Sequence, residues 1–213
     1  CQGRKTKAVE YISMIDGRDL WFPNYVWTGQ LDVDKEALKT YSDYKIKDKW
    51  DNDRLLGDDR PWSSVDFVLE ECIAVVNMVK LLDEVYAKIC EEIGFRPVQL
   101  YNIWVNKNPP GVENPSHTHI HHAGTMGALF SGVYYLDADK DLDQGDIVFE
   151  RNDQSAMHIP QQLKTQNTPY NMPEARYKSA TGDLYCFSSW IPHRVTKNNS
   201  DKDRYSISFN YGV

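Results

Sequence analysis

After Pro97 the chain consists of short β-type runs separated by glycine, proline and other turn-forming residues. The runs are rich in valine, isoleucine, tyrosine and phenylalanine, which favour the pleated, half-buried surface of a strand. Many short strands at close spacing are typical of a jelly roll or a barrel, so we expect a mainly β fold with flanking helices. The predicted strands are 98–106, 116–121, 129–137, 146–150, 157–163, 183–187, 191–196 and 204–211.

One long amphipathic helix precedes these strands. Apolar residues recur at helical spacing over residues 67–93, and Gly94 ends the pattern. We expect Ser63 or Ser64 to be the N-cap, because a serine hydroxyl can accept a hydrogen bond from an N–H group of the first turn. An apolar face of this width predicts a helix that packs across the sheet.

Length and composition predict a single globular domain. A chain of 213 residues, of which 41% are hydrophobic, is long enough to bury a full core. We expect residues 1–60 to form an N-terminal extension, with a short aspartate-capped helix in residues 31–44. Residues 61–94 then supply the supporting helix, and residues 97–213 form the jelly-roll core.

Charge and hydropathy argue against two classes of partner. The net charge is -7, whereas proteins that bind nucleic acid usually carry a basic face, so we do not expect nucleic acid as a partner. No apolar run approaches the roughly 18 residues that span a bilayer, and the first residues lack the apolar region of a signal peptide. The sequence therefore predicts a cytoplasmic protein without a membrane partner. Its four cysteines are too sparse to indicate a disulfide framework, and we expect them to be reduced.

The histidines are concentrated in two of the predicted strands. Residues 116–122 contain four of the six, His193 lies in a second segment, and only His158 lies outside both. Side chains at positions i and i+2 of an extended strand share one face, so His117 and His119 can converge while His193 arrives from another strand. Converging imidazoles of this kind predict a non-haem metal site.

The last predicted strand alternates between a polar and a largely apolar face. By alternation alone, the polar face could simply meet solvent on the outside of a sandwich. The histidines favour another interpretation, because His193 stands eleven residues before Arg204, about the distance needed for one strand to end and its neighbour to begin. A guanidinium there could hold a dicarboxylate near a metal. The polar face comprises Arg204, Ser206, Ser208 and Asn210, and the other face comprises Tyr205, Ile207, Phe209 and Tyr211.

Five short motifs follow one another in this half of the chain. They are His-Thr-His at 117–119, SGVYYLD at 131–137, GDIVF at 145–149, SWIPHRV at 189–195 and RYSISFN at 204–210. This ordered series resembles that of the 2-oxoglutarate and iron(II)-dependent oxygenases. The likeness is greatest to a group of oxygenases from phage and marine bacterial genomes, and the order is also similar to that of the oxygen-sensing prolyl hydroxylases. The resemblance covers roughly residues 98–213 and implies a double-stranded β-helix, the cupin-like jelly roll.

The resemblance also implies roles for individual residues. His117 and His193 correspond to metal ligands, and Arg204 corresponds to the clamp for the distal carboxylate of 2-oxoglutarate. Ser206 or Ser208 would support that clamp, and Tyr135 resembles a tyrosine that hydrogen-bonds the same carboxylate. Candidates to line the rest of the pocket are Asn102, Trp104, Asn106 and Asn210.

One position departs from the usual pattern of the superfamily. Most members carry a carboxylate two residues after the first ligand, completing a facial triad, whereas this chain carries His119. The simplest interpretation is a neutral site in which His117, His119 and His193 all ligate. Three alternatives remain open: His119 supports a carboxylate ligand from elsewhere, the register shifts so that His119 and His121 ligate, or the histidines form a surface cluster without metal.

The implied function is that of a non-haem dioxygenase. It would use Fe(II), 2-oxoglutarate and O₂, couple the decarboxylation of 2-oxoglutarate to succinate with the oxidation of an unknown prime substrate, and most simply act as a hydroxylase. A bacterial or phage-infected host cytoplasm is the expected location. Two other classes compete with it: a cupin-like three-histidine dioxygenase that does not use 2-oxoglutarate, and a non-catalytic jelly-roll binding or virion module.

Overall fold

The computed structural model describes residues 24–52, 62–64, 66–120, 127–153, 160, 162 and 164–212. Within these residues, helix α1 spans Lys35–Asn52, a short 3-10 turn spans Leu69–Glu71 and helix α2 spans Ile73–Ile93. The strands are β1 Val26–Gln30, β2 Trp62–Ser63, β3 Gln99–Asn108, β4 Asn114–His117, β5 Ala128–Asp137, β6 Ile147–Glu150, β7 Glu174–Tyr177, β8 Asp183–Ser188, β9 His193–Val195 and β10 Arg204–Gly212.

The strands form two antiparallel sheets. The large sheet has the order β1-β8-β5-β10-β3-β2, and the small sheet has the order β4-β9-β6-β7. Residues from both sheets, among them Val133, Phe149 and Phe187, meet in one buried apolar cluster. The predicted mainly β fold with flanking helices is confirmed, and strands β1 and β2, which precede residue 97, extend the large sheet at its two edges.

Helix α2 covers the outer face of the large sheet, as its apolar pattern predicts. Tyr86 is almost completely buried, and its ring stacks on that of Tyr211 at a centroid distance of 4.0 Å. The Tyr86 ring also contacts Phe130 and Phe209, which project from β5 and β10. Burying an aromatic side chain of this size stabilises the fold by roughly 1.5–3 kcal/mol, so this contact fixes the two strands that carry much of the site.

The predicted start of the long helix at Ser63 or Ser64 is wrong. Helix α2 begins ten residues later, at Ile73, and Cys72 is its N-cap without a side-chain bond. Ser63 instead lies in β2, and the Ser64 hydroxyl accepts a hydrogen bond from the backbone N–H of Val105 at 3.1 Å. The serines therefore stabilise the edge of the sheet. Gly94 does end the helix, in the left-handed conformation.

The shorter predicted helix is present as α1 and is longer than expected. Asp34 caps its start, because the Asp34 carboxylate accepts a hydrogen bond from the backbone N–H of Ala37 at 3.0 Å. The helix continues to Asn52, eight residues beyond the predicted end. It packs on the same side of the large sheet as α2, with Leu38 fully buried in the shared core.

Six of the eight predicted strands correspond to observed strands with small shifts at their ends, and the one predicted at 116–121 overlaps β4 only at residues 116 and 117. The eighth, at 157–163, falls largely on residues outside the described part of the chain. Strand β7, Glu174–Tyr177, was not predicted, because its short polar sequence carries no apolar alternation. Strand β4 ends at His117, so His119 lies in the segment that follows the strand.

Charged residues join the strands of the small sheet on its outer face. Arg194 donates to Glu150 at 2.9 Å and to Glu174 at 2.6 Å, which links β9 to β6 and β7. The Ser116 hydroxyl donates to the other oxygen of Glu150 at 2.6 Å and thereby includes β4. All four strands of this sheet are therefore connected by side-chain bonds across one surface.

Two further features of the described residues concern the cysteines and the helices. Cys72, Cys90 and Cys186 are free thiols. Neither helix in the described part of the chain combines the length and the apolar composition needed to cross a lipid bilayer.

Candidate metal centre

Three histidines meet on the inner side of the small sheet. His117 ends β4 and His193 begins β9, and the two residues are register partners in adjacent strands. His119 follows two residues after His117 and is held by its backbone N–H, which donates to the carbonyl of Ser189 at 2.9 Å. One ring nitrogen from each histidine lies within 4.8 Å of the other two. Such a group of three nitrogens could hold one metal ion.

The Nδ1 atom of each ring is hydrogen-bonded to an oxygen atom. His117 Nδ1 donates to the carbonyl of Pro115 at 2.8 Å, and His193 Nδ1 donates to the carbonyl of Ile191 at 3.0 Å. A carbonyl can only accept, so the proton of each neutral ring lies on Nδ1 and the lone pair on Nε2. Hydrogen bonds of this kind commonly orient metal-binding imidazoles and make them more basic.

His119 is oriented by a polar chain that crosses the large sheet. Its Nδ1 lies 2.7 Å from Asn210 Oδ1 and 2.8 Å from the Ser131 hydroxyl. Ser131 also donates to Asn210 Oδ1 at 2.7 Å, while the Asn210 amide donates to Asn102 Oδ1 at 2.8 Å. Because Asn210 turns its oxygen towards the ring, His119 Nδ1 is a donor and Nε2 carries the lone pair. All three imidazoles therefore have the same tautomer.

Burial keeps His193 neutral. Only 5% of the residue is exposed, and this burial lowers the pKa of its imidazole to about 3. The bond to Ile191 acts in the opposite direction, and the neighbouring His117 and His119 lower the pKa further. A ring that resists protonation keeps its lone pair available, and a metal ligand requires that state.

A cavity of about 190 Å³ extends from the histidines between the two sheets. His117, His119, His193 and Arg204 all line it. His119 is hydrogen-bonded to Asn210 near the end of β10, whereas Arg204 begins that strand, so the histidines and the guanidinium lie towards opposite ends of the cavity. Apolar side chains from both sheets form part of the wall between them. These wall residues are Val133, Ile147, Phe187 and Val195.

Arg204 is a buried cation whose charge has no carboxylate partner in the described part of the chain. Only 1% of the residue is exposed, and burial lowers the pKa of its guanidinium. Its Nη1 donates to the carbonyls of Gln144 and Gly145, both at 3.2 Å. Its Nε has no hydrogen-bond partner among the described residues. The edge that carries Nε is therefore left for a planar anion such as a carboxylate.

Gly145 is required for this position of the guanidinium. Its φ angle is +88°, a conformation that favours glycine. A Cβ atom there would also collide with the carbonyl oxygen of Thr196 and lie 3.4 Å from Arg204 Nη1. The turn thus brings a backbone carbonyl against the buried cation at a point where no side chain fits.

A second polar chain sets the direction of the Ser208 hydroxyl. The indole N–H of Trp104 can only donate, and it donates to Asn106 Oδ1 at 3.1 Å, as does Ser63 at 2.6 Å. The amide of Asn106 therefore faces Ser208 and donates to its oxygen at 2.9 Å. The Ser208 proton must then point elsewhere, and Ser208 lines the cavity.

Tyr135 lies beside Arg204. The guanidinium carbon is 5.6 Å from the centre of the Tyr135 ring, and burial raises the pKa of the phenol to about 12. The hydroxyl is therefore protonated at neutral pH and can donate to an anion. Alternation along β5 puts Ser131, Val133 and Tyr135 on one face, and of these Val133 and Tyr135 line the cavity.

The remaining predicted site residues divide into three groups. Trp104 and Asn106 line the cavity, whereas Asn102 and Asn210 lie outside its lining and form the chain behind His119. His121, the alternative ligand, falls outside the described residues. No aspartate or glutamate joins the three histidines among residues 66–120, 127–153 or the other described ranges.

Sequence reasoning missed Asn108 and Asn114, which also line the cavity. The predicted strand ended at residue 106, but β3 continues to Asn108. Extending the same period of two by one step would have placed Asn108 on the face of Trp104 and Asn106. Asn114 offered no such signal, because its role depends on the approach of β4 to β3.

Two antiparallel sheets that enclose a histidine cluster and a buried arginine define a non-haem metal enzyme with a double-stranded β-helix. Residues 102–210 match the family model described as "Putative 2OG-Fe(II) oxygenase". This match spans more than half of the chain, and the protein belongs to that family of 2-oxoglutarate and Fe(II)-dependent oxygenases. It is therefore an enzyme that uses Fe(II) as its metal and 2-oxoglutarate as its cosubstrate.

Several solved structures are similar to this chain in fold. A Pseudomonas putida prolyl-4-hydroxylase is 14% identical over 88% of this chain and 91% of its own, with a TM-score of 0.58. The viral collagen prolyl hydroxylase of Paramecium Bursaria Chlorella virus-1 is 10% identical over 89% of this chain and 96% of its own, with a TM-score of 0.61. HygX from Streptomyces hygroscopicus, solved with nickel and 2-oxoglutarate bound, is 14% identical over 89% and 82%, with a TM-score of 0.54. No curated protein sequence matches the chain.

The residues of the cavity fit both groups that the family uses. Three imidazole nitrogens within 4.8 Å of one another form a donor set that suits iron. At the other end, a buried guanidinium with an unused Nε fits a carboxylate, which 2-oxoglutarate carries at the end remote from its 2-oxo group.

Proposed function

We propose that His117, His119 and His193 hold Fe(II), and that Arg204 binds the distal carboxylate of 2-oxoglutarate. The observation that carries this proposal is the placement of the histidine group and the buried cation at opposite ends of one cavity. A ligand with a metal-chelating head and a remote carboxylate matches that distribution of groups. When bound, Fe(II) and 2-oxoglutarate supply the O₂ activation that oxidises the prime substrate, with release of succinate and carbon dioxide.

The chain's own residues orient these groups and exclude water. The three imidazoles are fixed with Nε2 facing inwards by bonds to Pro115, Ile191 and Asn210. This neutral set leaves the full charge of the metal to attract the anionic cosubstrate. The apolar wall keeps water away from the cavity, which strengthens every charge interaction inside it.

Three further residues contact the cosubstrate in this proposal. Ser206 lies between Arg204 and Ser208 on the same face of β10, and it is buried. Ser208 accepts a hydrogen bond from Asn106, and its own hydroxyl proton is free to be donated to the cosubstrate. Tyr135 donates its phenolic proton beside Arg204. Together these donors would surround the anion with hydrogen bonds, which are stronger when the acceptor is charged.

We further propose hydroxylation as the reaction and the phage and marine bacterial oxygenases as relatives. The second proposal is supported by the shared series His-x-His, Ser-Gly-Val-Tyr-Tyr, Ser-Trp-x-x-His and Arg-x-Ser-x-Ser-Phe-Asn. In this proposal residues 1–213 form one oxygenase domain, with 1–60 as an extension, 61–94 supplying the helix and 97–213 the core. It acts in the cytoplasm of a bacterium or of a phage-infected host, on a substrate other than nucleic acid.

The deciding experiment measures turnover without a prime substrate. The purified protein is loaded anaerobically with Fe(II) and 2-oxoglutarate and exposed to O₂, and succinate is measured by chromatography. We expect slow, iron-dependent formation of succinate, because these oxygenases decarboxylate 2-oxoglutarate even when nothing is hydroxylated. An Fe(II)-loaded protein that consumes O₂ without forming succinate would favour the cupin-like dioxygenase instead.

A matched pair of variants tests whether Arg204 binds the carboxylate. Arg204→Lys keeps a cation but loses the planar fork, and Lys202→Arg changes an exposed residue outside the cavity. We expect the first variant to require far more 2-oxoglutarate for the same succinate yield and the second to behave as the unmodified protein. Equal yields from both variants at low 2-oxoglutarate would remove Arg204 from the proposal.

A further inference from the structure

Asn108 is a buried amide with an unused polar atom at the Arg204 end of the cavity. Only 1% of the residue is exposed, and its Oδ1 has no hydrogen-bond partner among the described residues. Burying an amide oxygen without a hydrogen-bond partner is unfavourable, so native sites rarely contain one without a purpose. Among the described residues that line the cavity, Arg204 Nε is the other buried side-chain atom without a hydrogen-bond partner.

The two unused atoms belong to neighbouring residues. Arg204 and Asn108 are register partners across β10 and β3. Side chains of directly opposed residues project to the same face with their Cβ atoms about 4.5–5.5 Å apart. Nε is the guanidinium nitrogen closest to the backbone and asparagine is a short side chain, so both unused atoms lie at the same level of the cavity. Their coincidence indicates one ligand group that meets both residues.

The direction of the Asn108 amide is set by a single bond. Its Nδ2 donates to Asn114 Oδ1 at 2.6 Å, across the cavity from β3 to β4. No other side-chain bond fixes either amide within the described part of the chain. If both amides rotate by half a turn, the Asn114 amide N–H donates to Asn108 Oδ1, and the contact between the two residues is kept. The Asn108 N–H group then faces the cavity in place of the unused oxygen. The pair can therefore present either an acceptor or a donor to the cavity.

We propose that Asn108, supported by Asn114, is a second anchor for the distal carboxylate of the 2-oxo acid and selects ligands that carry this group. This role of Asn108 rests on the proposed function, in which Arg204 binds that carboxylate. On binding, both amides rotate, Asn108 Nδ2 donates to one carboxylate oxygen, and Arg204 Nε donates to the carboxylate alongside it. Asn108 Oδ1 and Arg204 Nε thereby both gain hydrogen-bond partners when one carboxylate binds.

The test compares two ligands that differ only at the distal end. Protein loaded with Mn(II) is titrated anaerobically by calorimetry with 2-oxoglutarate and with 2-oxopentanoate, which has the same 2-oxo acid head and no distal carboxylate. Asn108→Leu keeps the volume of the side chain and removes its polar atoms. We expect this variant to bind 2-oxoglutarate about tenfold or more weakly, since a hydrogen bond to a charged group is lost, and to bind 2-oxopentanoate within about twofold of the unmodified protein.

Two further variants complete the experiment. Asn199→Leu makes the same change at an exposed position and should leave both affinities unchanged. Asn108→Asp has nearly the shape of asparagine, still bonds to Asn114, and places a negative charge beside the ligand, so 2-oxoglutarate should bind more weakly still. This variant keeps the test decisive if Asn108→Leu does not fold.

Two results would overturn the inference: 2-oxoglutarate binding that is unchanged in Asn108→Asp, or an equal loss for both ligands in Asn108→Leu. Failure of the proposed function has a different signature, because the unmodified protein would then show no preference for 2-oxoglutarate over 2-oxopentanoate.

Discussion

Asn210 Oδ1 lies 2.7 Å from His119 Nδ1, and this contact determines which nitrogen of the ring carries the proton. By the resemblance of its motifs, His119 stands where most of the superfamily carry a carboxylate, and a carboxylate ligand has no tautomer to control. In the proposed metal site a histidine ligand does, and here the control comes from β10, the strand that also carries Arg204. The proposed histidine ligand is thus accompanied by an amide placed behind it.

Replacing Asn210 by leucine should weaken metal binding by about 10–100-fold, the usual effect of removing a residue that orients a metal ligand. The residual affinity comes from Ser131, which also lies within hydrogen-bond distance of His119. Titration of the variant with Mn(II) measures the change. Asn210→Asp retains an acceptor at the same place and should bind the metal at least as well as the unmodified protein. Equal affinities for all three proteins would show that Asn210 has no part in orienting His119.

Arg204→Ala should weaken 2-oxoglutarate binding by roughly 2–5 kcal/mol, because it removes one partner of a buried charge pair. Each 1.4 kcal/mol corresponds to about a tenfold change in affinity. Isothermal titration of the Mn(II)-loaded variant gives the value directly. Metal affinity in the absence of 2-oxoglutarate should stay the same, since Arg204 lies at the far end of the cavity. Unaltered 2-oxoglutarate binding would contradict the role of this residue.

His193→Ala should abolish stable iron binding. The variant loses one of three nitrogens and leaves a small cavity beside Phe187, whose ring centre lies 4.7 Å from that of His193. Metal content of the purified protein, measured by atomic emission, tests the expectation. His193→Gln serves as a comparison that fills the space without an imidazole. Full iron occupancy in His193→Ala would exclude the residue as a ligand.

The metal-free protein should lose stability as the pH falls below about 6.5. Burial lowers the pKa of His193 to about 3, whereas an unfolded histidine titrates near 6.5, so the unfolded chain binds more protons between these values. The free energy of unfolding therefore decreases with falling pH, by at most about 1.4 kcal/mol per pH unit from this group. Urea denaturation at pH 7 and pH 5.5 measures the slope. His193→Phe should show a smaller slope, and an identical slope in both proteins would contradict the assignment.

The sequence predicted those parts of the site that depend on local periodicity. His117 and His119 are two residues apart, and their rings lie together as predicted. They do so although β4 ends at His117, because both rings contact His193 of β9. Period two also placed Arg204, Ser206 and Ser208 on the face that lines the cavity. In each case the information lies within a few neighbouring residues of one segment.

The parts that the sequence did not predict depend on partners far away along the chain. Ser63 and Ser64 have the features of a helix cap, yet their hydroxyls bond to β3, about forty residues later. Asn108 gains its significance from Asn114 and from Arg204, which reach it from two other strands. Local propensity contains no information about such tertiary contacts, which outweigh it here.

The two sheets share a buried apolar cluster but differ in what holds their outer faces, and this difference separates their responses to salt. The large sheet rests on the apolar face of α2, which salt does not screen. The small sheet, which carries His117 and His193, is joined on its outer surface by the half-exposed charges of Arg194, Glu150 and Glu174. Such pairs contribute little individually and weaken as ionic strength rises. Raised salt should therefore loosen the small sheet before the large one. Amide hydrogen exchange should then become faster in β9 than in β10. Because His117 and His193 lie in the small sheet, the retention of iron should depend on ionic strength.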